Sequence, residues 1–172
     1  MARRRKGGLP PEELAGLRLA VWLSLAGYAL GGYLVLNHLG VSDASFCRVG
    51  EFSDCDFVNR SEYSKVLGVP VALLGALGFL AVAFFAGARL LDHRSALGAF
   101  ARPALSAATV GGIAAGTYLT VIELFVLHTL CLLCATSFGL FLLVAFCMRR
   151  SLLLPFRKGW RRRRGELPAE GG

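Results

Sequence analysis

The sequence predicts an all-α integral membrane protein, a four-transmembrane-helix bundle with an extracytoplasmic half-helix and a cysteine-bearing outer loop. Three observations predict it. Hydrophobic residues fill 55% of the 172 positions and charged residues only 17%, too apolar for a soluble fold of one domain. Four windows, 19–36, 69–88, 104–122 and 129–148, contain no charged residue, and a helix of about 20 residues crosses the roughly 30 Å hydrocarbon core of a bilayer. Lys and Arg, finally, are gathered in the segments that alternate across such a bundle.

Taken in order, residues 1–16 form a basic tail led by Arg3, Arg4, Arg5 and Lys6. A basic run before an apolar stretch resembles a signal peptide. The apolar stretch is longer than a signal h-region and no small-residue cleavage motif follows it, so it is expected to stay as a first span at about 17–38. An outer loop covers 40–68, and spans at about 69–88, 103–122 and 129–148 follow. A basic tail at 149–172 completes a single membrane domain, 1–172. Gly27, Gly31, Gly32, Gly75, Gly78, Gly111, Gly112 and Gly116 allow close helix approach and indicate a bundle without naming a ligand.

Charge sets the orientation. Of 19 Lys and Arg, five precede or begin the first span, three lie between spans two and three, and eight follow span four. The loop between spans one and two holds Arg48, Arg60 and Lys65 against Asp43, Glu51, Asp54, Asp56 and Glu62. Both termini and the middle loop are therefore expected in the cytoplasm and the loop at 40–68 outside. The net charge of +8 is thus explained by topology and contact with membrane lipids, including the Arg run at 161–164, and not by a nucleic-acid partner.

On that topology Cys47 and Cys55 lie in the outer loop, and Cys131 and Cys134 at the outer end of span four, where disulfides persist. Cys147 sits at the cytoplasmic end and reads as a small apolar residue. Positions i and i+3 of a helix are close enough to bridge, and Gly50 with Ser53-Asp54 permits a turn between Cys47 and Cys55. Thr129 is the expected N-cap of span four, which would put Cys131 and Cys134 where the helix dipole favours a thiolate. His128 either assists as a proton acceptor or merely marks the headgroup boundary. Static disulfides, or a thiolate metal site, remain the alternative in a non-enzymatic membrane protein.

From Cys55 the chain reads "CDFVNRSEYSKVLGVP". Asn59 or Ser61 can cap a half-helix through Ser64, Lys65 and Val66, ended by Gly68, with Pro70 opening span two. Phe57 and Tyr63 would anchor it at the interface. His38 and His93 look isolated. Glu123, at the outer end of span three, reads as a solvated carboxylate. No phosphate-binding loop, Ser-His-Asp set or metal-ligand His cluster is present.

The order Cys47, Cys55, then "CD-x-V-x-x-S-x-Y-x-x-x-x-G-x-P" to Pro70, then "CLLC" at 131–134 resembles the vitamin K epoxide reductase family in its bacterial form. The disulfide bond formation protein B pattern has the reverse order of cysteine pairs. The resemblance implies a four-helix bundle around a quinone, ubiquinone or menaquinone, in a bacterial cytoplasmic membrane. It also implies that Cys47 and Cys55 take electrons from a separate thioredoxin-fold thiol oxidase or its substrates and pass them to Cys131 and Cys134, which reduce the quinone. The family serine falls on Ser61, and the quinone pocket is expected from Cys134, Ser61, Val71, Phe138 and His128. Phe138 and Val71 stand where vertebrate members carry tyrosine and asparagine. Simple quinone reduction is accordingly expected rather than epoxide reduction.

Overall fold

The first helix begins earlier than the hydropathy boundary because its start is polar. α1 (Pro11–His38) has Pro at its first position, where the missing N–H costs nothing, and Glu12 and Glu13 in its first turn, where the helix dipole favours them. A computed structural model describes residues 9–42, 47, 53–91 and 95–165. Positions 3–6, Asp43, Arg48, Gly50, Glu51, His93 and Arg94 fall outside it, as do the side chains at 161–164.

The segment expected as one half-helix ending at Gly68 divides in two. α2 (Cys55–Arg60) is capped by Asp54, which accepts the Phe57 N–H at 3.0 Å, so neither Asn59 nor Ser61 caps it. A single 3₁₀ turn (Glu62–Ser64) follows. Strands β1 (Lys65–Val66) and β2 (Val69–Pro70) then pair antiparallel. The two residues between them, Leu67 and Gly68, both have positive φ, 54° and 81°. That is the geometry of a tight two-residue hairpin turn, so the Gly68 signal belongs to a hairpin and not to a helix end.

α3 (Val71–Leu91) starts directly after Pro70. α4 (Ala96–Ile122) is capped by Ser95, whose hydroxyl accepts the Gly98 N–H at 3.1 Å. It runs on into a π turn (Glu123–Leu127) closed by His128 in the left-handed conformation. α5 (Leu132–Gly165) completes the bundle.

The four long helices form a ring in which α1 and α4 each pack against both α3 and α5. A Cβ built on Gly31 would lie 3.1 Å from the Ala76 Cα, so α1 and α3 touch backbone to backbone there. One core cluster, Leu17, Ala20, Val82, Ala86, Leu105, Val144 and Met148, fills one end. Beyond it the Arg89 guanidinium donates to Glu13 at 2.5 Å, with Arg102 at 3.7 Å. The other end holds Cys47, Cys55, Val58 and Cys131. Trp22, Phe84, Phe125 and Phe146 instead point outward, each more than half exposed. Four helices long and apolar enough to cross a membrane, with their backbone bonds satisfied internally and an apolar exterior, make this a multi-pass membrane protein.

Candidate functional site

Cys47 and Cys55 are joined in a disulfide, with Cα atoms 5.8 Å apart. The loop pair is held against α5 by backbone. Ser53 forms a parallel bridge with Leu130, immediately before Cys131, and its hydroxyl donates to the Cys47 carbonyl at 2.9 Å. Cys47, Cys55 and Cys131 are all buried in one cluster, with Cys134 packed on it.

Cys131, not Thr129, caps α5. The Cys134 N–H donates to the Cys131 sulfur at 3.1 Å, the N-cap pattern in which the capping side chain accepts from the third helical N–H. Thr129 instead donates its hydroxyl to the Leu127 carbonyl, and its N–H to that of Glu123, at 3.2 Å each. The π turn takes up those residues and delays the helix start to Leu132.

Between the helices lies a cavity of about 350 Å³, within the size range of small-molecule sites. Cys134, Val71 and Phe138 line it. Ser61 and His128 do not. Ser61 ends α2 and donates its hydroxyl to the Val58 carbonyl at 2.8 Å, whereas His128 is exposed on the far side of the π turn. The walls are largely aromatic and small. Phe79 and Phe141 stack at 3.9 Å between centroids, and Gly112 and Gly116 leave the space that the Phe141 and Phe138 rings occupy. Asn59, Ser64 and Ser137 supply the polar rim. The Ser137 hydroxyl has no hydrogen-bond partner among the described residues.

The lid over the cavity is fastened by asparagines. The Asn59 amide donates to the Leu34 carbonyl at 2.8 Å and to Asn37 Oδ1 at 2.7 Å. Asn37 donates in turn to Asp56 and to the Ser42 carbonyl. His38 is not isolated either, since its Nδ1 lies 2.6 Å from the Asn59 carbonyl oxygen. Phe57 and Tyr63 are exposed. Nothing in the one-dimensional pattern pairs Asn37 with Asn59, 22 residues apart.

Glu123 is the largest departure from expectation. It is 2% exposed, not solvated. One carboxylate oxygen accepts the Cys131 N–H at 3.1 Å, and a carboxylate oxygen and the sulfurs of Cys131 and Cys134 lie within 4.8 Å of one another. Glu123 continues the inward face that Leu105, Thr109, Gly112, Gly116 and Leu119 set along α4, so the expectation of solvation rested on its charge and its place at the end of the span and not on helical period.

The sequence pattern of the vitamin K epoxide reductase family matches residues 18–148. The chain belongs to that family. Membership makes it a membrane redox enzyme, in a family that uses quinones. The vitamin K epoxide reductase match begins on α1 and ends at Met148 on α5, so it encloses both cysteine pairs and the cavity. A quinone fits the residues present, because a flat apolar ring suits walls of Phe79, Phe138 and Phe141, and Cys134 stands at the edge with an unpartnered Ser137 hydroxyl beside it.

Proposed function

We propose that this vitamin K epoxide reductase family member is a thiol:quinone oxidoreductase that generates disulfides. It would oxidise an extracytoplasmic thioredoxin-like partner and reduce a membrane quinone, ubiquinone or menaquinone. One observation carries the reading: Cys131 packs against the Cys47–Cys55 disulfide while Cys134, one turn along the same helix, lines the apolar cavity. A dithiol so placed exchanges with protein thiols on one side and with a lipid-soluble oxidant on the other.

In this reading the partner attacks Cys47, Cys55 exchanges with Cys131, and Cys134 faces the quinone. The quinone, when bound, accepts two electrons and two protons. The chain's own residues do the rest. Cys131 holds its sulfur at the helix N-terminus, where it accepts the Cys134 N–H. Asn37 and Asn59 keep the lid in register, and the phenylalanines exclude water. The loop pair oxidised and Cys131 and Cys134 free is the arrangement that follows internal exchange. Residues 1–172 act as one membrane domain, with both termini cytoplasmic and the four cysteines on the outer side of a bacterial cytoplasmic membrane.

The test is direct. Purified protein in detergent should consume a short-chain ubiquinone or menaquinone analogue only when a dithiol or a reduced thioredoxin-fold protein is added, and Cys134→Ala should abolish this. Cysteines whose redox state never responds to quinone would leave the static-disulfide or metal-site alternative standing.

A further inference from the structure

We propose that Glu123 is the proton donor of the internal disulfide exchange, protonating the Cys134 sulfur as it leaves the Cys131–Cys134 disulfide. The inference rests on the thiol-exchange reading above and adds a residue to it. Three observations support it. Glu123 is buried at 2% exposure, yet Oε1 has no hydrogen-bond partner among the described residues. The other oxygen is held by the Cys131 N–H at 3.1 Å, so the carboxyl group is fixed beside the pair. The carboxylate and both sulfurs lie within 4.8 Å of one another, and no other Asp, Glu or His joins that group among the described residues.

The two sulfurs differ in what stabilises them. Cys131 Sγ accepts the Cys134 N–H at the start of α5. Cys134 Sγ, by contrast, receives no backbone N–H among the described residues and stands at an apolar cavity. A thiolate leaving at Cys134 therefore lacks the donor that Cys131 has, and an unpaired charge in apolar surroundings is costly. A proton delivered from Glu123 removes that cost.

The step balances as follows. The Cys55 thiolate attacks Cys131, the Cys131–Cys134 bond breaks, and a Cys55–Cys131 bond forms. Cys134 leaves with the electron pair and takes the Glu123 proton. Cys47 then attacks Cys55, the loop disulfide re-forms, and Cys131 is released. Of the two protons lost by the loop thiols, one returns Glu123 to its acid form and the other ends on Cys131. Two electrons and two protons have moved from the loop pair to Cys131 and Cys134, and no outside reagent is consumed.

Glu123→Gln separates proton delivery from positioning, because its amide oxygen still accepts the Cys131 N–H while the group cannot give up a proton. Fully oxidised protein is mixed with limiting dithiothreitol, quenched with a maleimide at short times, and the labelled cysteines are mapped. General acid catalysis contributes about 10²- to 10⁴-fold, so Glu123→Gln should slow the appearance of free Cys134 by about 100-fold or more, while Glu123→Asp keeps most of the wild-type rate. Glu123→Gln at the wild-type rate overturns the proposal and leaves Glu123 as a positioning residue for Cys131. Loss of rate in the Gln and Asp variants alike, with lowered melting temperature in both, overturns it in favour of a packing role. The readout needs no quinone. A wild-type protein that exchanges disulfides but consumes no quinone would count against the proposed function and not against this step.

Discussion

The Cys134 N–H donates to the Cys131 sulfur at 3.1 Å, so the first cysteine of the CxxC caps the helix that carries the second. The two thiols are chemically unequal as a result, one at the helix N-terminus and one at the cavity wall.

On the proposed electron path, that inequality sets the expected order of exchange. Replacing Cys134 by Ala removes the thiol that would displace Cys55 from Cys131 and return the Cys131–Cys134 disulfide, since exchange proceeds through a mixed disulfide. The Cys134→Ala protein should accumulate a Cys55–Cys131 bridge, found by peptide mapping under non-reducing conditions. Accumulation of a Cys47–Cys131 bridge would reverse the roles of the two loop cysteines.

The Asn59–Asn37 hydrogen bond, at 2.7 Å between residues 5% and 0% exposed, fastens the lid to the end of α1. Asn59→Ala leaves Asn37 Oδ1 without its Asn59 donor and removes a second donor from the Leu34 carbonyl. An orphaned buried polar group costs about 1–3 kcal/mol. The variant should melt several degrees lower in detergent and react faster with thiol reagents at Cys55. Unchanged melting and unchanged Cys55 protection would show that the lid is held by packing alone.

At the opposite end, Glu13 is the buried carboxylate facing Arg89 and Arg102, with side-chain exposures of 10% and 3% for Glu13 and Arg89. Removing one partner of such a pair costs about 3–5 kcal/mol because the other charge stays buried. Glu13→Ala should therefore destabilise strongly, and Glu13→Ala with Arg89→Leu should recover much of the loss. A double variant as unstable as the sum of the two single variants would show the pair to be uncoupled.

Cavity shape should govern the quinone and not the thiols. A Cβ at Gly112 overlaps the Phe141 ring, and overpacking costs about 1–3 kcal/mol. Gly112→Ala is expected to raise the quinone KM about tenfold while disulfide exchange between the loop and Cys131 keeps its rate. Vitamin K epoxide should be a poor substrate for the wild type, because Val71 and Phe138 offer the cavity no hydrogen bond. Efficient epoxide turnover would assign that role to Asn59, Ser64 or Ser137.

Orientation is checked by labelling. After reduction, Cys47 and Cys55 should react with an impermeant thiol reagent added outside intact cells, and Cys147 should not. The reaction should be slow, since Cys47 and Cys55 are 3% and 0% exposed. Labelling of Cys147 alone would invert the orientation inferred from Lys and Arg.

The sequence by itself determined that four apolar helices cross a membrane, that two cysteine pairs share one end, and the family to which the chain belongs. Hydropathy, charge bias and cysteine spacing are local properties, readable without knowing which helix meets which. Val71, Cys134 and Phe138, which line the cavity, were named through the family resemblance and not through hydropathy. What only the tertiary structure decided depends on contacts between distant segments. Asn37 meets Asn59 because α2 folds back over α1, and Ser53 pairs with Leu130 because the loop crosses to α5. Glu123 turns from an apparent surface carboxylate into a buried one because it ends the inward face of α4 and meets the Cys131 N–H from a separate segment, and the π turn that follows it passes the helix cap from Thr129 to the cysteine itself.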